Sequence, residues 1–183
     1  DISASFQFVV DAFKRDWHVI APDMRGFGHS GWAKGGYWFP DYLADLEALL
    51  DHYSPNEPVR LIGHSLGGNI TSVYSGIRPS RVAQLVSLEG YGIVENRPDM
   101  APGRLERWLD SRKKPERLRP YPDKEAVIAR LQKNNPRLTY ERAFFLADYW
   151  TEVNDKGERS VMADPRHTTL PVLSRLDEIL ACW

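Results

Sequence analysis

The segment that most limits how this chain can fold is Val59-Arg60-Leu61-Ile62, which runs through Gly63-His64-Ser65-Leu66-Gly67-Gly68 into a stretch carrying Ile70, Val73, Tyr74 and Ile77. The first run reads as a buried strand, and the spacing of the later apolar residues predicts a helix. Glycines therefore bracket a sharp strand-to-helix turn with Ser65 at its centre. The pattern G-x-S-x-G arises by chance roughly one time in fifteen in a chain this long. Its strand-before, helix-after setting makes it informative, because residues without bulk two before and two after the serine allow a strained turn that throws the side chain clear. In that setting Ser65 Oγ stands near the positive end of the following helix, and the Leu66 N–H points where an oxyanion would develop. The alternative is a glycine-rich turn in which the serine is incidental.

Elements on either side supply the context. Phe6, Val9, Val10 and Phe13 recur at helical spacing, and Trp17-His18-Val19-Ile20-Ala21 reads as a buried strand stopped by Pro22-Asp23. Residues 24–40 contain Gly26, Gly28, Gly31, Gly35 and Gly36 and end in Pro40, which predicts a long functional loop. Leu43, Leu46, Leu50 and Tyr53 predict an amphipathic helix from Asp41, and Val82–Leu88 predicts a third strand. Strands alternating with helices indicate an α/β fold with a parallel sheet. After Tyr91 the pattern changes: prolines punctuate 97–122, helices are expected at 103–112, 123–133 and 139–151 with no strand between them, and a last helix is expected at 171–182.

The 183 residues are 42% hydrophobic and 27% charged, enough for one globular core, which excludes disorder and collagen. Lys+Arg 24 against Asp+Glu 25 gives a net charge of -1, so no global field attracts nucleic acid or an anionic membrane. The lone Cys182 makes no internal disulfide, and no Cys/His spacing suggests a metal. No apolar run approaches the roughly 20 residues of a membrane span, and Asp1–Phe6 lacks the features of a signal peptide. The expectation is a cytoplasmic protein without membrane or nucleic-acid partners.

Two motifs together resemble the cap-bearing branch of the α/β-hydrolase fold family. His18-Val19-Ile20-Ala21-Pro22-Asp23-Met24-Arg25-Gly26-Phe27-Gly28-His29-Ser30 looks like that family's strand and D-x-R-G-x-G-x-S loop, and Gly63–Asn69 looks like its nucleophile elbow. The resemblance implies an α/β-hydrolase core part over 1–92, a mostly helical cap over 93–170, and a helix at 171–183 returning toward the rest of the core. It implies a cofactor-free serine hydrolase of ester-type bonds in small or medium apolar molecules, with Ser65 as nucleophile and Leu66 as oxyanion donor. Glu89 ends the strand after the elbow, where some relatives carry the triad acid; the other reading is a strand-end carboxylate capping Gly90-Tyr91-Gly92.

The family's base follows its final strand. Of His18, His29, His52, His64 and His167 only His167 comes late enough in the chain, yet it falls within the inferred cap. It is read as pocket-lining or structural, with catalytic base and ordinary surface histidine as alternatives. His64, Trp38 and Tyr91 complete the candidate substrate pocket. The relatives' His-Gly oxyanion motif, the strand before it and the segment bearing the base have no counterpart here, so the chain is expected to be a nearly inactive internal piece of roughly 280–300 residues of protein. A non-catalytic ligand binder on the same fold, or a haloperoxidase-like or C–C bond hydrolase, are the competing functions.

Three other features have ordinary explanations. Gly26-Phe27-Gly28-His29-Ser30-Gly31 satisfies G-x-G-x-x-G, but no helix opens behind it to hold a pyrophosphate, so dinucleotide binding is not expected. The basic stretch 104–119 around Trp108 reads as the solvated face of a helix rather than a nucleic-acid patch. Trp32, Tyr37, Trp38 and Phe39 read as core packing, with substrate contact as the alternative.

Overall fold

A computed structural model describes residues 2–90, 97–113, 118–170 and 176–182. In chain order the elements are a 3₁₀ turn Ser3–Phe6 running into α1 (Gln7–Val10), α2 (Phe39–Tyr53), β1 (Val59–His64), α3 (Leu66–Ile77), β2 (Val82–Leu88), α4 (Ala101–Lys113), α5 (Lys124–Asn134), α6 (Tyr140–Trp150), β3 (Thr151–Val153), β4 (Arg159–Val161) and α7 (Leu176–Leu180). They divide into two compact units, one of Asp1–Gly35 with Pro115–His167 and one of Gly36–Lys114 with Thr168–Trp183.

The second unit holds the βαβ element. β1 and β2 pair in parallel, with Gly63 opposite Ser87 and His64 opposite Leu88, and α3 makes the crossover. Ile70, Val73 and Tyr74 are buried along α3, as their spacing predicts. α2 begins earlier than expected because Pro40 occupies its first turn, where a missing N–H costs nothing. Its buried side chains are Tyr42 and Leu50 rather than Tyr53. The Tyr42 ring stacks on that of Tyr37, which is also buried, whereas Trp38 is exposed. The expected helix 171–182 is seen as Leu176–Leu180, with 171–175 outside the described residues.

The first unit is built on the α5–α6 pair. Val127, Ile128, Ala143 and Ala147 form its core, with Tyr121, Leu131, Leu138 and Trp150 packed around them. Asp123 and Thr139 cap the two helices through side-chain oxygens that accept N–H bonds from Ala126 and Arg142. The antiparallel hairpin β3–β4 was not expected from the pattern. Its strands are too short to show a period. Its turn is marked by Asn154, whose side chain accepts the N–H groups of Lys156 and Glu158, and by Gly157 at φ 78.

Trp17–Ala21 also departs from expectation, because it forms no strand and its large side chains are exposed. A strand is defined by its ladder, and none of the ladders among the described residues includes this run. The glycine loop that follows is nonetheless ordered. Asp23 accepts the N–H groups of Ser3 and His29, and a Cβ at Gly28, φ 53, would lie 2.1 Å from the Asp23 carboxylate. Burial pushes the Asp23 carboxyl up, but the Ser3 and His29 donors outweigh it and hold it below its ordinary value. On the far side Gly28 N–H donates to Met162 O and Asp164 N–H to Gly26 O, around a bridge between Phe27 and Ala163.

Candidate active site

β1 ends at His64 and α3 begins at Leu66, so Ser65 makes the whole turn between them. Its backbone sits at φ 51, ψ -116, a region that disfavours side chains and costs on the order of 1–3 kcal/mol. The turn is held from both sides: Ser65 N–H donates to Leu88 O at 2.8 Å, and Ser65 O accepts Asn69 N–H at 3.0 Å, the first bond of the helix. A serine before a helix ordinarily has extended backbone and spends its hydroxyl capping the first turn. Ser65 has neither that backbone nor a capping bond. The side chain is exposed at the sheet edge, and the Leu66 N–H, at the first helical position, has no acceptor within the helix.

The glycines divide their roles unevenly. A Cβ at Gly63 would lie 2.3 Å from the Gly67 carbonyl oxygen and 2.5 Å from Thr71 Oγ1, so the strand end lies directly on the first turn of α3. A Cβ at Gly67 would meet nothing within 4 Å, so what the bend needs from that residue is its main chain. Gly68 and Gly90 form a second close approach, with a Cβ on Gly68 falling 2.8 Å from Gly90 Cα. The Ser87 hydroxyl packs against both and, among the described residues, is buried without a hydrogen-bond partner.

This contact brings Glu89 beside the bend. Glu89 has φ 54 and, with Ser65, is one of two non-glycine residues of positive φ among those described, at adjoining ends of the paired strands. Its Oε2 lies 3.5 Å from His64 Nε2, with the His64 side chain 38% and the Glu89 side chain 84% exposed. Ser65, Leu66, His64 and Glu89 thus cluster at one edge of the sheet. Glu89 was legible as a strand-end acid; its strained backbone and the Gly68–Gly90 contact were not, since they depend on residues far apart in sequence.

Trp38 precedes α2, where its carbonyl accepts Asp41 N–H. Tyr91 lies outside the described residues. His167 belongs to the first unit, where Nδ1 meets Asp164 O at 2.5 Å and the ring packs on Phe27 at 4.6 Å between centroids. Asp164 is 1% exposed and paired with the Arg166 guanidinium, and its N–H bond to Gly26 O together with the Phe27 ring contact ties His167 to the glycine loop. Among the described residues no group of three or more His, Cys, Asp or Glu is placed to hold a metal, and no helix is long and apolar enough to cross a membrane.

The chain is similar to a serine hydrolase-like protein of Danio rerio, 33% identical over 96 residues that make up 51% of this chain and 29% of that one. It is similar to lipase LipV of Mycobacterium tuberculosis, 40% identical over 72 residues, 39% of this chain and 26% of that protein. These matches span about a third or less of the relatives' length. In fold it resembles a thioesterase domain from the curacin biosynthetic pathway, with a TM-score of 0.82 and 24% identity over 99% of this chain and 65% of that domain. The alpha/beta hydrolase fold profile matches residues 1–174, and with the parallel strands meeting a strained serine at the head of α3 this places the chain in the α/β-hydrolase fold family.

Proposed function

We propose that this chain carries the nucleophile of a serine hydrolase acting on ester-type bonds in small or medium apolar molecules. The observation that carries the reading is the Ser65 turn: an uncapped hydroxyl, exposed at positive φ, beside an N–H without a helical acceptor. In this reading Ser65 Oγ attacks the ester carbonyl as a histidine takes its proton, and the Leu66 N–H donates to the oxyanion. Collapse expels the alcohol, protonated by the same histidine. Water then attacks the acyl-enzyme, and Ser65 regains its proton.

Glu89 is the proposed acid that orients the histidine, while His64 and Trp38, which belong to the same compact unit as Ser65, are proposed to line the substrate pocket. Residues 1–92 are then proposed to belong to the core, 93–170 to a cap, and 171–183 to a helix returning toward the rest of the core. Names of similar proteins, a serine hydrolase-like protein and a lipase, support the hydrolytic reading.

The test uses the full-length protein with a fluorophosphonate probe and a short-chain p-nitrophenyl ester. Ser65→Ala is expected to abolish labelling and to lower turnover by about a millionfold. Labelling or hydrolysis unchanged in Ser65→Ala removes Ser65 as nucleophile. A folded wild-type protein that binds esters without turning them over favours a binder on the same fold.

A further inference from the structure

The interior of α3 contains hydroxyls that hydrolytic chemistry at Ser65 does not itself require. Thr71 is buried, and its Oγ1 donates to Gly67 O at 2.9 Å and Gly68 O at 3.2 Å. A helical threonine often bonds back to the preceding turn. Here the second acceptor, Gly68 O, lies in a particular column. Gly68 C=O and Asn69 N–H share one peptide plane, and Asn69 N–H donates to Ser65 O at 3.0 Å. Ser65 C=O in turn shares its plane with Leu66 N–H. A line of dipoles therefore runs from the Thr71 hydroxyl through two peptide planes to the N–H assigned to the oxyanion. Ser75 Oγ donates to Thr71 O at 2.6 Å and loads the same column one plane further back. Hydrogen bonds in such a chain polarise one another, by about 10–30% per bond.

Position adds to polarity. Thr71 Oγ1 stands 2.5 Å from where a Gly63 Cβ would be, so the hydroxyl also fixes how closely the end of β1 approaches the first turn of α3. We infer that Thr71 is a positioning residue for the reaction, its buried hydroxyl orienting and polarising the Leu66 N–H through the Gly68–Asn69 and Ser65–Leu66 peptides. This inference rests on the proposed role of Ser65 and deepens it.

The experiment compares Thr71→Val, Thr71→Ser and Ser75→Ala with wild type in the full-length protein, using a short-chain p-nitrophenyl ester and an arylboronic acid that forms a tetrahedral adduct with the Ser65 hydroxyl. An oxyanion donor is worth a hundredfold or more in turnover, and a partial loss of its polarity and aim sets the expected fall in kcat for Thr71→Val at about three- to tenfold. KM and the pH profile should stay unchanged, and boronate affinity should fall by the same factor as kcat. Thr71→Ser restores both, and Ser75→Ala loses less than about twofold. Should valine fail to fold beside Gly63, Thr71→Ala gives the same pattern. Unchanged kcat and boronate affinity in a folded Thr71→Val or Thr71→Ala protein, with Ser65→Ala inactive, overturns the role of Thr71 and leaves Ser65 in place. Activity that survives Ser65→Ala overturns both.

Discussion

Ser65 and Glu89 share a backbone state that neither residue type prefers, and the strain is supported by the chain on each side. Ser65 is tied to Leu88 and Asn69, and Glu89 adjoins a glycine pressed onto α3. The motif identifies Ser65 from sequence, but a glutamate at positive φ has no local signature, because its conformation is imposed by the Gly68–Gly90 contact. The two glycines of the motif also separate under test. Gly63→Ala forces a methyl into the Gly67 carbonyl, which belongs to a main chain that cannot swing aside, and should cost at least the upper end of the ~1–3 kcal/mol typical of overpacking. Gly67→Ala enters open space and should unfold within about 1 kcal/mol of the native chain. Urea denaturation of the two variants measures the difference, and equal losses would contradict the packing described.

At the scale of elements, α2 and α3 are joined by a polar network as well as by apolar contact. The Tyr74 hydroxyl donates to Glu47 Oε2, and Arg78 Nε reaches Glu47 Oε1 at 3.0 Å. The Tyr74 bond and the Arg78 guanidinium hold the Glu47 carboxyl below its ordinary value, while burial and then the hydrogen bond to Glu47 push the Tyr74 phenol up to about 12. The signs oppose each other. Glu47 contributes stability that is complete above its unfolded pKa and is lost as pH falls through the lowered folded value. Tyr74 contributes stability that is complete below its unfolded value of 10.0 and is lost as pH rises through about 12. Glu47→Gln should flatten the acid limb of the stability curve, and Tyr74→Phe should remove the latest tyrosinate absorbance step in alkali.

The same scale shows where sequence reading succeeded. β1, α3 and β2 were legible because each is long enough to show its period, and Gly or Pro marks each end. Trp17–Ala21 has the composition of a strand but no ladder partner among the described residues. β3 and β4 are too brief for any period, leaving only Asn154 and Gly157 as a signal.

For the whole molecule, the sheet is the informative surface. Ile62, Val86 and Leu88 are 37–42% exposed on a sheet of two paired strands, so a substantial apolar face meets solvent in the 183-residue chain. The chain as given should bind the dye anilinonaphthalene sulfonate and do so less after Val86→Thr, a fluorescence titration that an apolar face shielded from solvent would fail. Family membership was legible from two motifs that lie in different compact units, the glycine loop in one and the serine turn in the other. The substrate was not, because specificity resides in side chains that no short pattern records.

Gly68 and Gly90 meet atom to atom along the main chain, with no intervening group to trim or enlarge. The spacing between Ser65 and Glu89 is in that sense hard-wired. A protein engineer, or natural drift, can rework the surrounding surface while the pair itself keeps its spacing.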